Sequence, residues 1–150
     1  MIAVQKRVEH VTTTSKEDYL KAIWSLSERI ESQQGASTGD LAVALNVSPP
    51  AVSKMLKQME KQGLVAHIPY YGVRLTESGR DIALKIVRRH RLLERFLAET
   101  LGYALASVHD EAERLEHHIS DEFEKRIDIL LGHPKYCPHG SPIPTNNRQI

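Results

Sequence analysis

The stretch VHDEAERLEHHISDE, residues 108–122, sets imidazoles among a dense run of carboxylates. Imidazole nitrogen and carboxylate oxygen are donors for divalent cations. They are also what a solvated helix face carries, and helical angle separates the two. On an α-helix turning about 100° per residue, with His109 at zero, Glu116 falls near −20°, Glu113 near 40° and His117 near 80°. These four share one stripe. Asp110, Glu111, His118 and Glu122 point elsewhere and read as solvated surface. Val108, Ala112, Leu115, Ile119 and Phe123 form a neighbouring face able to pack. The stripe therefore runs along the edge of buried surface, where an uncompensated carboxylate is costly. A divalent cation would offset that cost.

His90 and Glu94, four residues apart, make a second pair within the apolar row Ile82, Ile86, Leu93, Leu97. A lone histidine in such a row is more often a hydrogen-bonded core residue, and Glu94 is what keeps the ligand reading open. Asp18 reads equally well as a first-turn acid favoured by the helix dipole. Enzyme chemistry gathers no support. There is no H-E-x-x-H pair of zinc ligands, and no Glu-x-x-His as a di-iron bundle requires. No glycine loop cradles phosphate and no nucleophile elbow is present. Cys137 and His139 stand in a proline-rich tail without a third group to orient them for nucleophilic attack.

The elements that must carry these residues follow from capping and periodicity. Ser15 reads as the cap of a helix reaching about Ile30 on Tyr19, Leu20, Ile23, Trp24, Leu26 and Ile30. Thr38 reads as the cap of a short helix through Leu41 and Leu45. Asn46-Val47-Ser48 is a tight break. Ser48 caps a further helix with Pro49 and Pro50 in its first turn, where proline is tolerated, and Gly63 ends it. LVAHIPYYGVRLT reads as two short strands around a turn at Tyr71-Gly72. A long helix then runs from Thr76 and Glu77 to about Leu101. Two helices follow, about 105–119 and 120–131, before an irregular tail.

Helix, three-residue turn, helix and hairpin is the winged helix-turn-helix order, whose second helix fits a DNA major groove. The exposed positions Ser48, Pro50, Ala51, Ser53, Lys54 and Lys57 are small or basic, so backbone can approach a duplex and ammonium groups can meet phosphates. Ser53 and Lys54 are placed for base edges, and Ala51 for a thymine methyl. On the hairpin, Tyr71 and Arg74 are candidates for backbone or minor-groove contact. For each lysine alone a solvated surface remains the better reading; motif order and charge together favour DNA.

The chain has 150 residues, 41% hydrophobic and 26% charged, with formal net charge +1. Residues 1–91 hold fourteen Lys/Arg against nine Asp/Glu, and residues 92–150 hold six against ten. No run is apolar enough for a membrane span, the N-terminus lacks a signal-peptide pattern, and one cysteine excludes an internal disulfide. These features favour a cytoplasmic protein without membrane contact.

RRHRLLERFL (88–97), VHDEAERLEHHISDE (108–122) and CPHGSPIP (137–144) resemble the diphtheria toxin repressor family, which includes manganese transport regulators. LNVSPPAVSKMLKQMEKQGLV (45–65) resembles its helix-turn-helix and TTSKEDYL (13–20) its first helix. The resemblance implies a mainly α protein: a winged helix-turn-helix domain over residues 1–75 and a helical dimerization and metal-binding domain over 76–150, with no SH3-like third domain. It implies a primary metal site of Asp18, Glu113, Glu116 and His117, and an ancillary site of His90, Glu94 and His109. Cys137 and His139 join Glu94 in some manganese-responsive relatives. The implied function is metal-dependent repression from a palindromic operator on double-stranded DNA, by a homodimer formed through the last two helices.

Asp18 and Glu113 stand where iron-responsive members carry sulfur, and an oxygen-and-imidazole set suits Mn²⁺. Fe²⁺ or Zn²⁺ response is the alternative within the family. A metal-independent winged-helix regulator and a bundle-type metalloenzyme are the alternatives outside it. Lys21 stands where bacillus-type manganese regulators carry a glutamate, which argues against a binuclear site. Without metal, carboxylate repulsion is expected to loosen the first helix.

Overall fold

The computed structural model describes residues 13–27 and 35–147. In chain order they form α1 (Thr14–Ser27), α2 (Thr38–Leu45), α3 (Pro49–Lys61), β1 (Val65–Ile68), β2 (Gly72–Leu75), α4 (Glu77–Glu99), α5 (Val108–Leu115) and α6 (Asp121–Leu130). The architecture is mainly helical, with a two-stranded antiparallel wing in the register Val65 to Leu75 and Ile68 to Gly72.

Caps set most of the boundaries, some one or two residues from where the sequence puts them. Thr13, not Ser15, starts α1, its hydroxyl accepting from the Lys16 amide at 3.3 Å. The expected extension to Ile30 lies outside the described residues. Ser37, not Thr38, caps α2 by accepting from Asp40 N at 3.0 Å. Ser48 caps α3 as expected, accepting from Ala51 N at 3.3 Å. The wing turn centres on Tyr70, which adopts φ 69°, so the reversal falls just before the expected Tyr71-Gly72. Ala36 adds a bridge to Val73, two backbone hydrogen bonds of 2.9 Å that the loop reading of this segment did not contain. Gly72 makes that bridge possible: a Cβ there would lie 2.2 Å from the Ala36 carbonyl oxygen.

Two apolar clusters result. The first gathers Leu20, Ile23, Leu41, Val52, Met59, Leu64 and Val73 with Leu84 and Val87. The second gathers Leu92, Leu93, Leu97, Val108, Ala112, Ile127 and Ile143. The N-terminal half of α4 closes one cluster and its C-terminal half the other, so this helix is the spine that fixes the winged region against α5 and α6. The expected packing face of α5 holds for Val108 and Ala112, both 0% exposed, while Phe123 is 41% exposed beyond it.

α5 is shorter than its pattern suggests. It ends at Leu115, and residues 116–118 form a turn, although Glu116 keeps right-handed helical angles (φ −57°, ψ −29°). The tail is irregular yet tightly held. Arg88 and Arg95 on α4 donate to the carbonyls of Pro144 and Tyr136, both at 2.7 Å, and Arg91 donates to that of Pro142. This arginine row at i, i+3 and i+7 shares one helical side, and it seats the tail against α4.

Gly79, in the first turn of α4, sits against Leu64, whose carbonyl oxygen would be 1.9 Å from an added Cβ. Gly79→Ala is therefore expected to destabilise the chain by about 2 kcal/mol or more, measured by chemical denaturation.

Candidate metal centre

The ligand-bearing residues of α1, α4, α5 and the tail converge on one region. Asp18, Lys21, His90, Glu94, Glu113 and Cys137 are among the residues lining a cavity of about 570 Å³ there. Within it, three groups bring their donor atoms within 4.8 Å of one another: Asp18, Glu116 and His117; His90, His109 and Glu113; and Glu94, Cys137 and His139.

The inner group joins α1 to the end of α5. His117 Nε2 stands 2.8 Å from Asp18 Oδ1 and 3.4 Å from Glu116 Oε1. Its other nitrogen, Nδ1, donates to Glu17 Oε2 at 2.6 Å. A carboxylate on Nδ1 requires a proton there, so Nε2 is the nitrogen that faces Asp18 and Glu116. A carboxylate behind a histidine is the usual orienting partner of a metal ligand. Glu17 was not singled out in the sequence, where it is one first-turn acid beside another. Its position immediately before Asp18 was the available signal.

Glu116 is the hub. Its side chain is 0% exposed, yet its carboxylate accepts from two directions. Lys21 Nζ donates to Oε1 at 2.7 Å, and His90 Nδ1 lies 2.5 Å from Oε2. Lys21 also donates to Glu113 Oε1 at 2.5 Å. Burial disfavours the Lys21 ammonium, but the charge of Glu116 and the hydrogen bonds to Glu113 and Glu116 outweigh it and raise its pKa. Glu113 is held below the usual carboxylate range against its own burial, mainly by Lys21. Burial pushes Asp18 up, only partly offset by His117 and Lys21. The expected repulsion among bare carboxylates is thus met by an ammonium supplied by α1.

Glu113 shares Lys21 with Glu116 and also lies near the middle group, with His109 Nε2 3.7 Å and His90 Nδ1 3.8 Å from its Oε1. His90 Nε2 is 3.2 Å from His109 Nδ1 and 3.3 Å from Glu94 Oε1. Burial lowers the His90 pKa, but hydrogen bonds to Glu116 and Glu94 more than reverse this, and the net shift is upward. Glu94 is shifted downward against its burial, chiefly by His90.

The outer group is set by the seated tail. Cys137 is buried, and His139 Nδ1 lies 3.0 Å from Glu94 Oε2. That oxygen is shielded from solvent and has no aligned hydrogen-bond partner among the described residues. A buried acceptor left without a donor is costly, and a cation shared with the Cys137 sulfur and the His139 imidazole fits the gap. The three donor sets therefore fit divalent ions: oxygen and nitrogen in the inner and middle groups, sulfur added in the outer one.

On the winged region, Ser48 at the cap of α3 and Pro50, Ala51, Ser53, Lys54 and Lys57 on α3 are all exposed, opposite its buried Val52, Leu56 and Met59. Tyr71 is exposed at the wing turn, and Arg74 is half-buried on β2. No helix described is long and apolar enough to cross a membrane.

A winged DNA-binding region followed by a metal-binding and dimerisation region defines a class of metal-responsive regulators, and sequence comparison agrees. Residues 11–73 match the iron dependent repressor N-terminal DNA binding domain, and residues 76–145 match the iron dependent repressor metal binding and dimerisation domain. The chain belongs to the diphtheria toxin repressor family, whose members are transcriptional repressors and not enzymes. It is 39% identical over 128 residues to the diphtheria toxin repressor of Corynebacterium glutamicum, covering 85% of this chain and 55% of that protein. It is 38% identical over 136 residues to the iron-dependent repressor IdeR of Mycobacterium tuberculosis, covering 91% and 57%. Among solved structures it is similar to a manganese-dependent transcriptional repressor in complex with manganese (TM-score 0.81, 48% identity, 90% of this chain and 61% of that one). It also resembles the manganese regulator SloR (TM-score 0.78, 44% identity, 92% and 62%). The chain thus spans little more than half the length of these relatives.

Glu17 holds the His117 ring so that Nε2 faces Asp18 and Glu116. Glu17→Ala is expected to weaken Mn²⁺ binding by about 10–100-fold, measured by isothermal titration calorimetry, with the far-ultraviolet circular dichroism unchanged.

Proposed function

We propose that this protein is a divalent-metal-dependent transcriptional repressor, activated by Mn²⁺, that binds a palindromic operator as a homodimer and controls genes of metal uptake and homeostasis. The observation that carries the reading is the span of the inner group. Asp18 belongs to the helix that packs on α2, whereas Glu116 and His117 belong to the end of α5. Residues 1–75 act as the DNA-binding domain and residues 76–150 as the dimerization and metal-binding domain. Asp18, Glu116 and His117, with Glu113 nearby, would hold the activating ion, whose charge would neutralise their carboxylates. His90, Glu94, His109, Cys137 and His139 form the ancillary ligands. An inner group of oxygen and imidazole donors without sulfur suits Mn²⁺, in line with the manganese named for the similar solved structures. The Cys137 sulfur supports a second reading, in which Zn²⁺ or Fe²⁺ fills the outer group.

With the ion bound, Asp18 would tie α1 to Glu116 and His117 at the end of α5, α1 packs on α2, and α2 sets the angle of α3. In a dimer this fixes the separation of the two recognition helices, which must be about 34–36 Å to meet successive major grooves. Metal and operator then strengthen each other's binding reciprocally. Exposed Leu101, Tyr103, Leu105, Phe123, Ile129 and Leu130 supply apolar surface for the partner.

The test is DNA binding to a site selected from a random duplex pool, titrated separately with Mn²⁺, Fe²⁺ and Zn²⁺ under reducing conditions. The expected result is strongest stimulation by Mn²⁺ and loss of stimulation in Glu116→Gln; equal binding in chelator would refute the proposal. Lys57→Ala is expected to weaken binding at all sequences and to lower the salt slope by about 1.

A further inference from the structure

The inner group carries its own cation. Lys21 lies three residues after Asp18, so the two share a face of α1. Its side chain is 21% exposed, and its ammonium is hydrogen-bonded to one oxygen each of Glu113 and Glu116. An ammonium donates only and cannot ligate a metal. Glu116 Oε1 is also one of the oxygens facing His117 Nε2. The same carboxylate oxygen is therefore wanted both by the lysine and by any ion shared with Asp18 and His117. Both are positive, and at this separation a divalent ion and an ammonium repel. The lysine is attached to the site by its own helix, so it competes at every concentration of free metal.

We propose that Lys21 is a tethered counter-cation of this group. It neutralises Glu113 and Glu116 in the metal-free protein. A divalent ion must displace it, so Lys21 raises the metal concentration at which the group fills. The inference rests on the metal-binding reading of Asp18, Glu116 and His117. It adds a residue that sets the response threshold without touching the ion.

Two measurements on the full chain test it. In the first, Mn²⁺ is titrated by calorimetry into the unsubstituted protein, Lys21→Met and Glu116→Gln at one pH. Lys21→Met keeps the length of the chain and removes the charge. It is expected to bind Mn²⁺ about tenfold more tightly, while its metal-free melting temperature falls because two carboxylates lose their partner. Affinity that is unchanged or weaker in Lys21→Met overturns the counter-cation role. The second measurement uses the unsubstituted chain, so it stands even if Lys21→Met fails to fold. Acetylation of Lys21 by an amine-reactive ester is followed by mass spectrometry, and is expected to rise when Mn²⁺ is added. Labelling that stays level or falls means the lysine is not displaced, and the proposal is wrong. Glu116→Gln separates the two levels of the argument. If it binds Mn²⁺ as the unsubstituted protein does, the metal-binding reading of this group fails and the Lys21 proposal falls with it. If it loses binding while Lys21→Met behaves as the unsubstituted protein, only the counter-cation fails.

Discussion

A carboxylate sealed from water dictates the arrangement around it. Glu116 is fully buried, and a buried charge is tolerated only when paired and hydrogen-bonded. Its partners come from two other elements, Lys21 on α1 and His90 on α4. Three helices distant in sequence are thereby held to one point. The same carboxylate faces His117, whose second nitrogen is held by Glu17 of α1. Leu20 and Ile23 pack α1 on α4, and the partners of Glu116 add a charge requirement to that packing.

α4 distributes that constraint. Its early turns complete the core beneath the winged region, and its later turns pack on α5 and α6. Its arginines work on two further sides. Arg88 and Arg89 pair with Glu124, and Arg89 also with Asp121, which fixes α6. Arg88, Arg91 and Arg95 hold carbonyls of the tail, which places Cys137 and His139 opposite Glu94. A helix with so many buried charges is stable only because each has a partner nearby. α4 thereby connects the ligand groups to both apolar clusters.

Much of this was legible beforehand. Element order followed from caps and apolar period: Ser48 with Pro49 and Pro50, Gly63, and the stripe of the long helix all act locally. Helical angle put His109, Glu113, Glu116 and His117 on one stripe, since neighbours at three and four residues lie together wherever a helix forms, but α5 ends at Leu115 and the four fall into two donor groups. Boundaries drifted where two capping residues compete, as at Ser37 and Thr38. The end of α5 drifted because the chain must turn into the Ser120 cap of α6.

How the donors are shared between groups was not legible. Helical angle places Glu113 and Glu116 on one stripe but does not say that they share Lys21 or that Glu113 also nears His90 and His109, for that depends on how α1 and α5 lie against α4. The roles of Glu17 and Lys21 were equally hidden, because their partners are about a hundred positions away. By itself the sequence determined which residues could bind metal, which helix could meet DNA and which side of each helix is apolar. These depend on residue chemistry and on periods of a few residues. Only the tertiary structure decided which ligands meet, that the tail is seated by arginines, and that an ammonium already stands between the carboxylates. Those are distances between elements, set by the packing and charge balance of the whole core.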